Sequence, residues 1–141
     1  MILASFTNEL TGRSSHLIGD SARGIAVVID PAREVGPYLR AAEERGLRIG
    51  HAIATHQRAL LTPLYELKKR VGALIHSRAS GPPLFSINAL MPGSSFTLGR
   101  YRFHIPIDRS RAESLHVYDL ESDSTAPFLV TTDDWPREQP A

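Results

Sequence analysis

The 141-residue chain contains no cysteine. That absence removes disulfides, thiolate nucleophiles and zinc–thiolate sites together. One-signed charge is also missing: 16 Lys and Arg stand against 15 Asp and Glu, for a formal net charge of +1. With no basic stripe and no charge block, nucleic acid is not an expected partner. No apolar run approaches the length that spans a bilayer, so no membrane association is expected. The first ten residues, MILASFTNEL, turn polar and acidic too early for a secretory signal. A cytoplasmic protein is the expectation. Ser14, Ser15, Ser94 and Ser95 sit in no Gly-x-Ser-x-Gly context, and the glycines around Gly93 and Gly99 form no phosphate loop.

What remains is an ordinary globular composition, 42% hydrophobic and 22% charged, at a length that supports one core. We expect one domain over residues 1–135 and a loose tail over 136–141. SSHLIGD (14–20) and GIAVVIDP (24–31) predict two strands joined by a short turn. The second is apolar at every step from Ile25 to Ile29, as in a strand covered on both faces. A helix is expected from about Glu34, with Val35, Tyr38, Leu39 and Ala42 on one stripe and Gly46 as its stop. LRIGHAIATH (47–56) predicts a strand. LTPLYELKKRVG (61–72) predicts a helix capped by Thr62, with Pro63 in its first turn and Leu64, Leu67 and Val71 inward. ALIHS (73–77) predicts another strand. The fold class is therefore α/β, with a βαβαβ first half built on parallel strands.

After residue 79 the character changes. SGPPLFSINALMPGSS (80–95) reads as loop, and FTLGRYRFHIPI, SLHVYDL and PFLVTTD read as strands with no helix between them. The helices thus serve one side only. Tyr101, Phe103, Ile105 and Ile107 share one face, while Leu115 and Val117 oppose His116, Tyr118 and Leu120. Apolar or aromatic groups on both faces predict a sheet that needs cover. An isologous homodimer through this second sheet supplies it, with a heteromer involving a full-length relative as the alternative.

HLIGD, AVVIDPAREVGPYLRAAEERGLRIGHAIATH and the helix ending ELKKRVGALI resemble the metallo-β-lactamase superfamily, in its glyoxalase II and persulfide dioxygenase branch. The resemblance runs from about residue 14 to 135 and implies a truncated form of that fold. It also implies a metal centre drawn from a His-x-His-x-Asp-His cluster, a Thr-Pro-Gly-His turn, a Thr-Gly-Asp turn and a later histidine. Position by position, His56 keeps the cluster's first histidine. Arg58, Leu60 and Leu61 replace the other three members. Asp108 falls where the turn histidine is expected, and Asp133 keeps the bridging carboxylate.

A catalytic zinc or iron ion needs three or more converging protein ligands. His56, Asp108 and Asp133 are the only set this resemblance leaves. Arg58 would stand among them, and a fixed cation about 4 Å from a dication is repelled by several kcal/mol. We expect no cofactor, a vestigial site of His56, Arg58, Asp108 and Asp133, and a guanidinium that neutralises Asp133 in place of the metal. His16, His51, His76, His104 and His116 read as single, half-buried strand residues. Asp30, before Pro31, reads as a turn-former. Asp133 and Asp134, adjacent at a strand end, should point to opposite faces, which argues against an acid–base pair. The mixed-sign loop of Asp108, Arg109, Ser110, Arg111 and Glu113 would rim the old site. The functional expectation is a catalytically inactive homologue acting as a binding, scaffold or regulatory subunit. Two alternatives stand beside it. One is a divergent thioester or lactone hydrolase, or sulfur dioxygenase, with a single zinc or iron ion. The other is an anion-binding module anchored by Arg58.

Overall fold

A computed structural model describes residues 2–7, 12–55, 61–77, 87–107 and 113–132. Two sheets face each other. The first has six strands in the order β1 (Ile2–Thr7), β2 (Ser14–Asp20), β3 (Ile25–Ile29), β4 (Arg48–Ala54), β5 (Leu74–Ser77) and β6 (Ile87–Ala89). β1, β2 and β3 pair antiparallel, while β3 to β6 run parallel. The β3–β4 crossover holds α1 (Gly36–Glu44) and the β4–β5 crossover holds α2 (Thr62–Val71). The second sheet is an antiparallel set of β7 (Ser95–Leu98), β8 (Tyr101–His104), β9 (Glu113–Asp119) and β10 (Leu129–Thr132), ordered β10–β9–β8–β7.

The unbroken apolar run of β3 divides itself between two cores because successive side chains alternate faces. Ala26 and Val28 enter a helix-side core with Leu17, Tyr38, Ile49, Leu64, Leu67 and Ile75. Val27 and Ile29 enter an inter-sheet core with Ile18, Ile53, Tyr101, Phe103, Leu115 and Val117. α1 presents Tyr38 and Ala42 inward, as the stripe predicts, together with Ala41, which the stripe did not include, and Gly46 beyond its end has a φ of +67°. Both helices lie on one side of the first sheet.

Four expectations need correction. β1 was not expected, although Ile2, Ala4 and Phe6 alternate with Leu3, Ser5 and Thr7 and pack on the helix-side core. β6 lies inside the segment read as loop, and its three residues are too few to show a period. Thr62 does not cap α2. Leu61 takes that place with no side-chain cap bond, because its helical backbone lets its carbonyl accept from Tyr65 N at 3.0 Å.

The last correction concerns the second sheet, which is amphipathic. Tyr101, Phe103 and Ile105 are buried against the first sheet. In register on the other face stand Arg102 with Tyr118 and His104 with His116. Arg102 lies over the Tyr118 ring at 4.8 Å, and Val130, 38% exposed, is the aliphatic residue opposite His116. Leu120 falls in a turn beyond β9. The continuous-looking runs hide a period of two, because aromatic and histidine side chains occupy the polar phase.

Asp20, at the end of β2, ties the two sheets together at one edge. Its carboxylate accepts from Arg23 N and Nη1 and from Arg100 N, the last across the sandwich at 3.2 Å. Tyr101 Oη donates to Gly19 O beside it. Arg100 grips Asp119 with two bonds of 2.9 and 2.7 Å. Burial pushes the Asp20 carboxyl up, but the hydrogen bonds from Arg23 and Arg100 outweigh it and hold the group below its ordinary range. The stability it contributes is therefore full above the ordinary aspartate range and lost as pH falls through the lowered folded value. Gly99 makes the close approach possible: it has φ +60°, and a Cβ there would lie 2.6 Å from Asp20 Oδ2. Gly99→Ala is expected to lower stability by about 2 kcal/mol in urea unfolding. An unchanged midpoint would refute the tie.

Candidate functional site at the carboxyl edge of the parallel strands

The Asp20 tie fixes which strand ends meet at the opposite edge. There β3 runs out at Asp30 and β4 at Thr55. β8 arrives by way of Ile105 and Ile107, and because β9 opposes β8 and β10 opposes β9, β10 also ends there, at Thr132. Thr55, Ile107 and Thr132, each of which directly precedes an expected site position in the sequence, therefore lie toward one edge. His56, Arg58, Asp108 and Asp133 themselves lie outside the described residues, as do Asp134 and the Arg109–Arg111 loop.

Asp30 is the organising side chain of this edge. Its backbone is left-handed, with φ +52°, a conformation that aspartate tolerates better than most residues. Its N–H donates to Ile53 O at 2.7 Å. Its carboxylate accepts from Thr55 N at 2.7 Å and from Thr55 Oγ1 at 2.6 Å. Thr55 is fully buried, and these bonds set its backbone where β4 ends. Asp30 forms a turn, as its place before Pro31 suggests, and it also clamps two parallel strands. No local pattern announces the second role, since the partners stand 25 residues apart.

Around Asp30 the polar groups are ordered. His16, opposite Ile29 on β2, pairs its Nδ1 with Ser5 Oγ at 3.0 Å. Burial depresses the His16 pKa while the Asp30 charge works against that shift. Tyr38 Oη accepts from Ala32 N at 2.7 Å and shares a 2.6 Å bond with Ser15 Oγ, anchoring the chain just after Pro31. On the second sheet, Ser114 Oγ and Thr131 Oγ1 share a buried 2.6 Å bond beside the β10 terminus. Ser95 Oγ meets His104 Nδ1 at 2.8 Å.

Of the three cluster positions where the resemblance expects a replaced ligand, Leu61 is the one among the described residues. It packs against the helix-side core as it opens α2. A hydrocarbon there offers no lone pair. Among the described residues, no group of three or more His, Cys, Asp or Glu side chains could hold a metal ion.

Four of the five strand histidines expected to stand singly meet in pairs. His51 Nδ1 and His76 Nε2 are 3.1 Å apart across β4 and β5. His104 and His116 face each other across β8 and β9 with ring centroids 6.3 Å apart. Both pairs arise from strand register, which single-strand spacing does not reveal. His76 lies against Phe96, nearly parallel at 5.0 Å, and burial, with the His51 ring beside it, lowers its pKa to about 4.

This architecture is the metallo-β-lactamase fold. Over 93% of its length the chain matches a metallo-beta-lactamase from Staphylococcus aureus subsp. aureus COL, with TM-score 0.77 and 21% identity, covering 42% of that protein. ETHE1 from Myxococcus xanthus matches over 84% of this chain and 54% of its own, with TM-score 0.66 and 24% identity. The BLEG-1 B3 metallo-beta-lactamase matches over 84% of this chain and 67% of its own, with TM-score 0.60 and 12% identity. The chain spans about half the length of the first two. No family model matches it, and no curated protein does. At these identities the likeness shows the fold. Among the described residues no helix is long and apolar enough to cross a membrane.

Two measurements check this geometry. Thr55→Val keeps the shape but removes the hydroxyl donor to Asp30, and should cost about 1 to 3 kcal/mol in denaturant unfolding; a neutral result would dismiss the clamp. His76 should titrate by NMR near pH 4. Because its folded pKa lies below the unfolded value of about 6.5, the stability it contributes is full above that value. Roughly 3 kcal/mol should be lost as pH falls from 6.5 to 4. An ordinary His76 titration near pH 6.5 would contradict that.

Proposed function

We propose that this chain is a catalytically inactive, metal-free version of the metallo-β-lactamase fold that serves as a binding, scaffold or regulatory subunit. The observation that carries this reading is Leu61. It falls where the resemblance expects the last histidine of the ligand cluster, and it spends its side chain on the helix-side core. Arg58 and Leu60 remove two more donors from the same short segment. An edge that loses lone pairs and gains a guanidinium disfavours a dication.

The framework around the lost ligands is nevertheless kept. The Asp30–Thr55 clamp and the buried Ser114–Thr131 bond hold the strand ends that the fold uses at this edge. Such an edge suits recognition of an acidic group by Arg58, or docking of a partner, without needing chemistry. A second copy, or a full-length relative, seated on the second sheet would meet Arg102, His104, His116 and Tyr118. That contact would be aromatic and basic rather than aliphatic.

The competing reading is a divergent hydrolase or dioxygenase using one zinc or iron ion held by His56, Asp108 and Asp133. It is favoured by β4 and β10 ending at one edge, as those donors require. Elemental analysis of protein purified without chelator separates the two. The inactive reading expects zinc, iron and manganese well below one equivalent after gel filtration. Near-stoichiometric metal that disappears in His56→Ala would overturn it.

A further inference from the structure

The inner face of the first sheet brings two imidazole nitrogens together. We propose that His51 and His76 form a two-nitrogen site for a borderline transition-metal dication, with Cu2+ the best occupant.

The geometry comes from parallel register. His51 lies opposite Leu74, and His76 lies opposite Ile53. The two histidines are therefore diagonal neighbours on one face, the face on which Ile53 enters the inter-sheet core. Their facing nitrogens, His51 Nδ1 and His76 Nε2, stand 3.1 Å apart. With metal–nitrogen bonds of about 2.0–2.1 Å, two ligands of one ion lie about 2.9 Å apart at a square-planar angle and about 3.3 Å apart at a tetrahedral one. The observed separation lies between these limits. The ring centroids are 5.3 Å apart, so the two nitrogens face each other nearly head-on, and an ion enters once both rings turn off the line that joins them, at unchanged strand spacing.

Electrostatics and packing point the same way. In the metal-free pair one ring must donate its N–H to the other. Moving that proton to the far nitrogen of the same ring leaves two lone pairs facing each other, with no net proton released from the neutral pair. Burial first, and the Arg48 charge second, lower the His51 pKa, and His76 is lowered to about 4. Both rings are thus neutral and ligand-competent at pH 7. Ring orientation is fixed by a stack in which His76 lies on Phe96 and Phe96 on Phe103, at 5.0 and 5.1 Å. Solvent reaches the site from the flank, where Leu74, the cross-strand partner of His51, is 48% exposed.

The same observations set the chemical class. With two imidazoles and no third carboxylate or histidine among the described residues, water must complete the shell. That favours Cu2+, which leads the first-row order at nitrogen sites. Arg48 opposes any cation here, so the ion is expected to exchange and be lost on gel filtration. A retained ion at the strand ends would therefore be told apart from it.

Titration of the full chain with Cu2+ at pH 7, followed by electron paramagnetic resonance, tests the site. One equivalent should show nitrogen couplings, and affinity should fall at least tenfold in His51→Gln. His104→Gln and His56→Ala should bind as the wild type does. Substoichiometric Cu2+ should first broaden the His51 and His76 ring resonances in the wild type, a readout that needs no variant. Wild-type affinity in His51→Gln, or first broadening at His104 and His116, would overturn the assignment.

Discussion

A single carboxylate determines what the edge of this molecule can be. Asp30 leaves β3 in a left-handed conformation and takes both the backbone N–H and the hydroxyl of Thr55. Two parallel strands with no direct turn between them thereby end at a fixed spacing. The position from which residue 56 departs is then set by buried hydrogen bonds rather than by a loose loop. At the opposite edge Asp20 does the complementary task, binding the β2 terminus to the β7–β8 turn. Between the two acids lies the inter-sheet core.

That core explains how a sheet with no helix on its far side among the described residues can face outward. Phe103, Leu115 and Val117 are fully buried on its inner face, while Arg102, His104, His116 and Tyr118 occupy the outer one. Antiparallel sheets commonly keep one wet face. The Arg102–Tyr118 stack and the paired histidines give this face a basic, aromatic character. Any surface that covers it must match that chemistry.

Much of the first half was legible because each signal was strong and local. The apolar run of Ile25–Ile29, the stripe through Tyr38 and Ala42, and Pro63 at the opening of a helix correspond to β3, α1 and α2. β1 escapes a linear reading because its alternation uses small residues, Ala4 and Ser5. The outer face of the second sheet was misjudged because tyrosine and histidine serve either side of an interface. The Asp30 clamp, the Asp20 tie and the His51–His76 pair all join residues from different elements, and a linear reading has no means of pairing them. The site expectation rests on the resemblance at residues 56–61, and of that segment the structure describes Leu61, partly buried against the helix-side core.

The account turns on whether the strand ends beyond Thr55 and Thr132 can still grip an ion. Anomalous diffraction at the zinc edge, from crystals grown with zinc, asks that question directly. The account predicts no anomalous peak between the ends of β4 and β10. A peak there, coordinated by His56 and Asp133, would contradict it.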